Sequence, residues 1–103
     1  MPGTPQKSAT VALSGQPHRD LSTRQLKAAR ALVGWSQENL TAAAGVSLPT
    51  LKRLEAIDGV LGGSPDTRAK LISALSQAGI IFIDGDGQGA GVRLRTNSVV
   101  DPI

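Results

Sequence analysis

Between Ser36 and Glu55 the chain reads SQENLTAAAGVSLPTLKRLE, and the spacing of two serines and one glycine in it constrains the fold more than any other feature. Ser36 and Ser47 each precede a short amphipathic run, where a side-chain oxygen can accept from the free backbone N–H groups of a helix's first turn. Gly45 closes the first run at the position where a helix end needs a left-handed residue, a conformation glycine adopts without steric cost. Pro49 falls in the first turn of the second run, where its missing N–H would have had no intrahelical partner. Leu40, Ala43 and Ala44 share one face of the first helix. Two helices with caps this close cannot lie side by side, so the connection makes them cross steeply.

The same punctuation organises the rest of the chain. Ser22 reads as an N-cap, Gln25 completes a capping box, and Leu21 with Leu26 forms a hydrophobic staple. The helix they open runs to about Gly34 and buries Leu26, Ala29 and Val33, with Trp35 packing beside its end. Asp58 to Gly63 reads as a loop. Ser64 and Pro65 open a fourth helix with Leu71, Ile72, Leu75 and Ala78 on its core face, and Gly79 ends it. Ile80 to Ile83 (IIFI) is then a strand, DGDGQGAG a turn, and VRLR a second strand with Val92 and Leu94 on one side and Arg93 and Arg95 on the other. The expected fold is mainly α: a four-helix domain over 21–79 followed by a short C-terminal β-hairpin over 80–95. Residues 1–20, with Pro2, Pro5 and Pro17 and no sustained periodicity, predict a disordered N-terminal tail; 96–103 predict a C-terminal one.

A chain of 103 residues builds one modest core. Without cysteine it has no disulfides, zinc fingers or thiol nucleophile, and the single His18 has no second ligand near it in sequence. No metal, no cofactor and no catalysis are expected. The longest apolar run, Ile80 to Ile83, is far short of a membrane span, and ATVAL is too short for a signal-peptide core, so the expectation is a cytoplasmic protein away from membranes. Little room for a separate sensor domain is expected, and no small-molecule ligand is predicted. In the glycine-rich segment, Asp84, Asp86, Gln88 and Gly89 imitate the start of a calcium loop, but Arg95 stands where a bidentate Glu is required. It also imitates a dinucleotide fingerprint, yet a strand follows where a helix should begin. A hairpin turn accounts for it.

Charge placement is informative. From Ser22 to Ile57 five bases (Arg24, Lys27, Arg30, Lys52, Arg53) face two acids (Glu38, Glu55), whereas the remainder is balanced. Arg24, Lys27 and Arg30, spaced along one helix, read as a solvated face. On a wheel of roughly 100° per residue, the helix after Ser47 turns Leu51 and Leu54 inward. Its other side carries Pro49, Lys52, Arg53 and Ala56, with Leu48 and Thr50 at the margins. That compact, basic, acid-free face suits a phosphate-bearing partner and could enter a major groove.

LVGWSQENLTAAAGVSLPTLKRLE resembles the signature of the phage-repressor-like (Cro/XRE) helix-turn-helix DNA-binding family. The resemblance is close over about 24 residues and looser over the four-helix scaffold. It implies a transcriptional regulator that binds double-stranded DNA, with Gln37 on a phosphate, Lys52 on a phosphate, and Ser47, Leu48, Pro49, Thr50 and Arg53 on the base edges. Thr41 stands where the family usually has Ala, implying a looser contact between the two helices. Leu48 and Pro49 replace hydrogen-bonding side chains, which shifts recognition toward Arg53 on guanine and apolar contact with thymine methyls. Many relatives continue into a fifth helix that joins two subunits, and here the hairpin takes its place. Because a lone hairpin is marginal in water and Ile80 to Ile83 is apolar throughout, the expectation is a homodimer through the hairpin region. A competing expectation makes the hairpin a wing that lays Arg93 and Arg95 on phosphates. The rival function is an antitoxin-like or other protein-interaction module using the same helices.

Overall fold

Serine caps open every helix of the structure, a computed structural model that describes residues 21–85, 87 and 89–95. The helices are α1 (Thr23–Val33), α2 (Gln37–Ala44), α3 (Leu48–Glu55) and α4 (Pro65–Gln77), followed by strands β1 (Ile80–Ile83) and β2 (Gly91–Leu94). The side chains of Ser22, Ser36, Ser47 and Ser64 accept from the backbone N–H of Gln25, Asn39, Thr50 and Thr67. At Ser22 and Ser36 the third helical residue reciprocates, so both carry full capping boxes; the second, through Asn39, adds to what Ser36 alone predicts. Gly34 and Gly45 end α1 and α2 in the left-handed region, at φ 71° and 74°. The mainly helical architecture with a terminal hairpin is as expected. The expected tails, His18 and turn positions 86 and 88 lie outside the described residues.

One apolar cluster joins these elements. Leu26 and Ala29 come from α1, Leu40 from α2, Leu51 and Leu54 from α3, Leu71, Ala74 and Leu75 from α4, and Ile80 and Phe82 from β1, with Leu21 and Leu61 contributed by connecting segments. Trp35 and Val33 pack half-buried at its edge. The buried Thr41 is satisfied locally: its hydroxyl donates to the Glu38 carbonyl, and its own carbonyl accepts from Gly45 and Val46, closing the α2–α3 turn. A threonine there introduces no orphaned polar atom.

The segment expected as a plain loop is more ordered than that. Thr23 N–H donates to Gly59 O at 2.8 Å, Leu61 N–H donates to Leu21 O at 2.8 Å, and Ser22 forms an antiparallel bridge with Val60. The fully buried Thr23 hydroxyl donates to Ile57 O at 2.7 Å. The stretch after α3 is thereby fastened to the start of α1.

β1 and β2 pair antiparallel, with Ile80 opposite Leu94, Ile81 opposite Arg93, Phe82 opposite Val92 and Ile83 opposite Gly91. Alternation places Ile80, Phe82, Val92 and Leu94 on the face that meets the helices, and Ile81, Ile83 and Arg93 on the other. Ile80 and Phe82 are buried, whereas Ile81 and Ile83 are half-buried. The buried Gln25 holds the hairpin to α1. Its Nε2 donates to Ile83 O and Gly91 O, each at 3.0 Å, while its Oε1 accepts from Ser22 N–H. One amide thus serves a helix cap and both strands.

Gln25→Leu keeps the volume but strips three bonds from buried groups, and is expected to destabilise the domain by about 2–4 kcal/mol, at the upper end for unsatisfied buried polar atoms. Urea unfolding measures it, with the largest loss of amide protection at Ile83 and Gly91. An unchanged midpoint would show that the hairpin is held by other contacts.

Candidate nucleic-acid interface

The orientation of α3 is set by an acid on its inner face. Glu55 lies one turn after Leu51 and is buried, so its charge has to be matched inside the protein. Arg30 matches it with two parallel bonds, Nε to Oε2 and Nη2 to Oε1, both at 2.8 Å. Its third contact, Nη1 to Trp35 O at 3.0 Å, ties the α1–α2 corner to the same group. Gln37 Nε2 adds a bond to Glu55 Oε1 at 2.9 Å, and Lys27 Nζ donates to the Glu55 backbone carbonyl at 3.2 Å. The last residue of α3 therefore anchors α1 and the first residue of α2.

This network corrects one expectation. Of the three bases read as a solvated face, Arg24 and Lys27 are exposed as expected and Arg30 is not, and each has a partner within the protein. Arg30 is a largely buried counter-ion, Lys27 sits on the C-terminal end of α3 where a cation suits the helix dipole, and Arg24 pairs with Asp58 at 3.0 Å. The Arg24 side chain, with the Gly59 N–H, holds the Asp58 carboxyl below its ordinary value. That pair is solvent-exposed, so its contribution is small. It is present above an ordinary carboxylate pKa of about 4 and fades as pH falls through the lowered one.

The outward side of α3 agrees with the wheel: Pro49, Lys52, Arg53 and Ala56 are exposed, and Leu48 and Thr50 are half-buried. No carboxylate or hydrogen-bond acceptor among the described residues meets the Lys52 or Arg53 head group. Ser47 Oγ accepts from the Thr50 N–H at 3.3 Å and its hydroxyl donates to Thr50 Oγ1 at 2.8 Å, so both hydroxyls have local partners at the start of α3. Gln37 lies beside α3 with one amide hydrogen held by Glu55; the other, and the N–H groups of Gln37 and Glu38, have no acceptor among the described residues. The sequence-predicted residues thus gather around two neighbouring helix starts and the outer face of α3. The role of Glu55 was missed. Its signal was present, since a charged residue four places after Leu51 falls on the buried face.

The hairpin lies elsewhere. α1 meets α3 through Lys27 and Arg30 and the segment just after α3 through Thr23, and meets the hairpin through Gln25, which at 100° per residue lies on roughly the opposite flank. No family model matches the chain, and no curated protein matches it. Among the described residues no helix is long and apolar enough to cross a membrane.

Removing Arg30 leaves a buried carboxylate unpaired. Arg30→Met is expected to cost about 3 kcal/mol in urea unfolding, the low end for a broken buried pair, because the arginine is partly exposed. Lys52→Ala and Arg53→Ala are expected to stay within about 0.5 kcal/mol of the parent. A Lys52 or Arg53 variant that unfolds as readily as Arg30→Met would remove these bases from the interface.

Proposed function

We propose that the protein is a sequence-specific double-stranded DNA-binding transcriptional regulator, acting in the cytoplasm and reading the major groove with α3. The observation that carries this reading is the division of the bases in 22–57. Arg24, Lys27 and Arg30 are engaged by the protein itself, and Lys52 and Arg53 on the presented face of α3 have no partner among the described residues. Lys52 and Gln37, with the amides that open α2, suit backbone phosphates. Arg53 suits guanine O6 and N7, with Ser47, Leu48, Pro49 and Thr50 forming the margin, where the apolar pair favours thymine methyls. No chemical step is assigned to these residues, and the protein is proposed not to be an enzyme.

The rival reading is a module that masks another protein. It draws on Ile57 and Val60, both 62% exposed beside the Arg24–Asp58 pair. The two readings separate on salt. DNA binding through several phosphates weakens steeply with ionic strength, with a log-log slope of about −0.9 per neutralised phosphate. A flat response on duplex DNA would remove the DNA reading.

Selection from a random duplex pool then tests the division of labour. Arg53→Ala is expected to lose about 1–3 kcal/mol on the preferred site and to relax one base pair of the selected motif, whereas Lys52→Ala weakens all sequences alike and lowers the salt slope by about one. A motif unchanged by Arg53→Ala would place base reading on another face.

A further inference from the structure

The face of the hairpin that meets the helices is covered under β1 and left open under β2. Ile80 and Phe82 are buried, but of their cross-strand neighbours Leu94 is 42% exposed and Val92 half-buried. Beside them, Ala90, Gly91 and Val92 line a groove of about 350 Å³ with Ser22 and with Arg24 and Ala28 of α1. One turn on from Ala28, Leu32 is 44% exposed. A Cβ built at Gly91 would meet no heavy atom within 4 Å, so the space along this strand is open. A glycine inside a strand often marks the close approach of another stretch of backbone.

The backbone of β2 is open in the same direction. Arg95 N–H donates to Gly79 O at 2.7 Å, so the hydrogen-bonded pairs are Gly79 with Arg95, Ile81 with Arg93 and Ile83 with Gly91. The backbone N–H and C=O groups of Val92 and Leu94 therefore point away from β1, and none has a partner among the described residues. An unpaired edge beside exposed apolar side chains is a template for a further strand.

We propose that this strand is the chain's own segment 9–13, ATVAL, laid antiparallel along β2 so that the hairpin becomes a three-stranded sheet. Chain path, side-chain pattern and charge each favour this occupant. Residues 1–20 join the described structure at Leu21, and the next residue, Ser22, lines the groove. The seven residues 14–20 that separate ATVAL from Leu21 reach up to roughly 23 Å at about 3.3 Å per residue. Gln25 holds Gly91 beside the start of α1, so an antiparallel strand ends where the chain has to enter that helix. In a strand, Ala9, Val11 and Leu13 share one face and Thr10 and Ala12 the other. Val11 opposite Val92 exchanges both backbone bonds with it, and Ala9 and Leu13 fall opposite Leu94 and Ala90. The apolar side chains then close over the open half of the hairpin face, and Thr10 turns outward. ATVAL carries no charge, whereas β2 of a second copy would bring Arg93 and Arg95 against the same Arg93, and like charges side by side destabilise a sheet. The tether acts in the same direction: a short linker holds its segment at an effective concentration on the order of mM, which dilute free chains do not match.

Amide hydrogen exchange of the full chain, read by NMR without DNA, tests this independently of the DNA reading. The Val92 and Leu94 amides face away from β1, and no described residue accepts from them, so a third strand is what protects them. In the wild type they are expected to be protected, and equally so at every protein concentration. Val11→Pro removes the N–H at the centre of the added ladder and is expected to speed their exchange about tenfold or more, with the Ile81 and Arg93 amides little changed. Thr10→Pro, whose N–H would face solvent at the new edge, is expected to keep the protection. Val11→Asp retains the N–H but sets a charge on the covered face, and is expected to act as Val11→Pro does; circular dichroism checks that each variant keeps its helices. Val92 and Leu94 amides that exchange as freely as an unpaired edge overturn the proposal. Protection that survives both Val11 variants overturns it, as does a loss as large in Thr10→Pro as in Val11→Pro. Protection that rises with protein concentration overturns it too, since the occupant is then a second copy.

Discussion

The carboxylate of Glu55 is the constraint on which the geometry of α3 depends. With its side chain 4% exposed, it has to be met by donors inside the protein, and the planar fork of Arg30 supplies two in an arrangement a lysine could not reproduce. Leu51 and Leu54 hold α3 against the core, but apolar contact is non-directional and leaves a short helix free to roll. The Arg30–Glu55–Gln37 network removes that freedom. Rotation of α3 about its axis decides whether Lys52 and Arg53 face outward, so a buried ion pair governs which charges this surface presents.

Gln25 does on the other flank of α1 what Arg30 does on this one, without charge. Directional polar contacts carry weight here because the apolar supply is thin: one Phe, one Trp and no Tyr in the chain. A small domain with such a core has little stability to spare. Its hairpin is too short to persist alone, and the amide bonds to Ile83 O and Gly91 O, together with the burial of Ile80 and Phe82 in the core, make it part of the domain.

Most of the fold was legible because it is written in local chemistry. Ser22, Ser36, Ser47 and Ser64, the two left-handed glycines and Pro49 and Pro65 set helix limits within a turn of themselves, and those limits match. The outer face of α3 was equally legible, since a wheel needs only the helix and its period. What escaped were contacts between residues far apart in sequence. Nothing local to Gln25 indicates acceptors 58 and 66 residues away, and nothing near Thr23 indicates the carbonyl of Ile57. The charge pattern misled at Arg30 for the same reason: three bases on α1 look alike in sequence, and only tertiary structure reveals that Arg30 is turned inward onto Glu55.

α1 separates the outer face of α3 from the hairpin, and its sequence makes it a stiff spacer. TRQLKAARALV contains no glycine or proline, the usual origins of a kink, and at 1.5 Å per residue it spans about 16 Å. One flank receives α3 through Lys27 and Arg30 and the segment just after it through Thr23, the other receives the hairpin through Gln25, and Leu26 and Ala29 between them enter the core. Rotation of α3 and docking of β2 are thus referred to the same rigid body within two turns of helix.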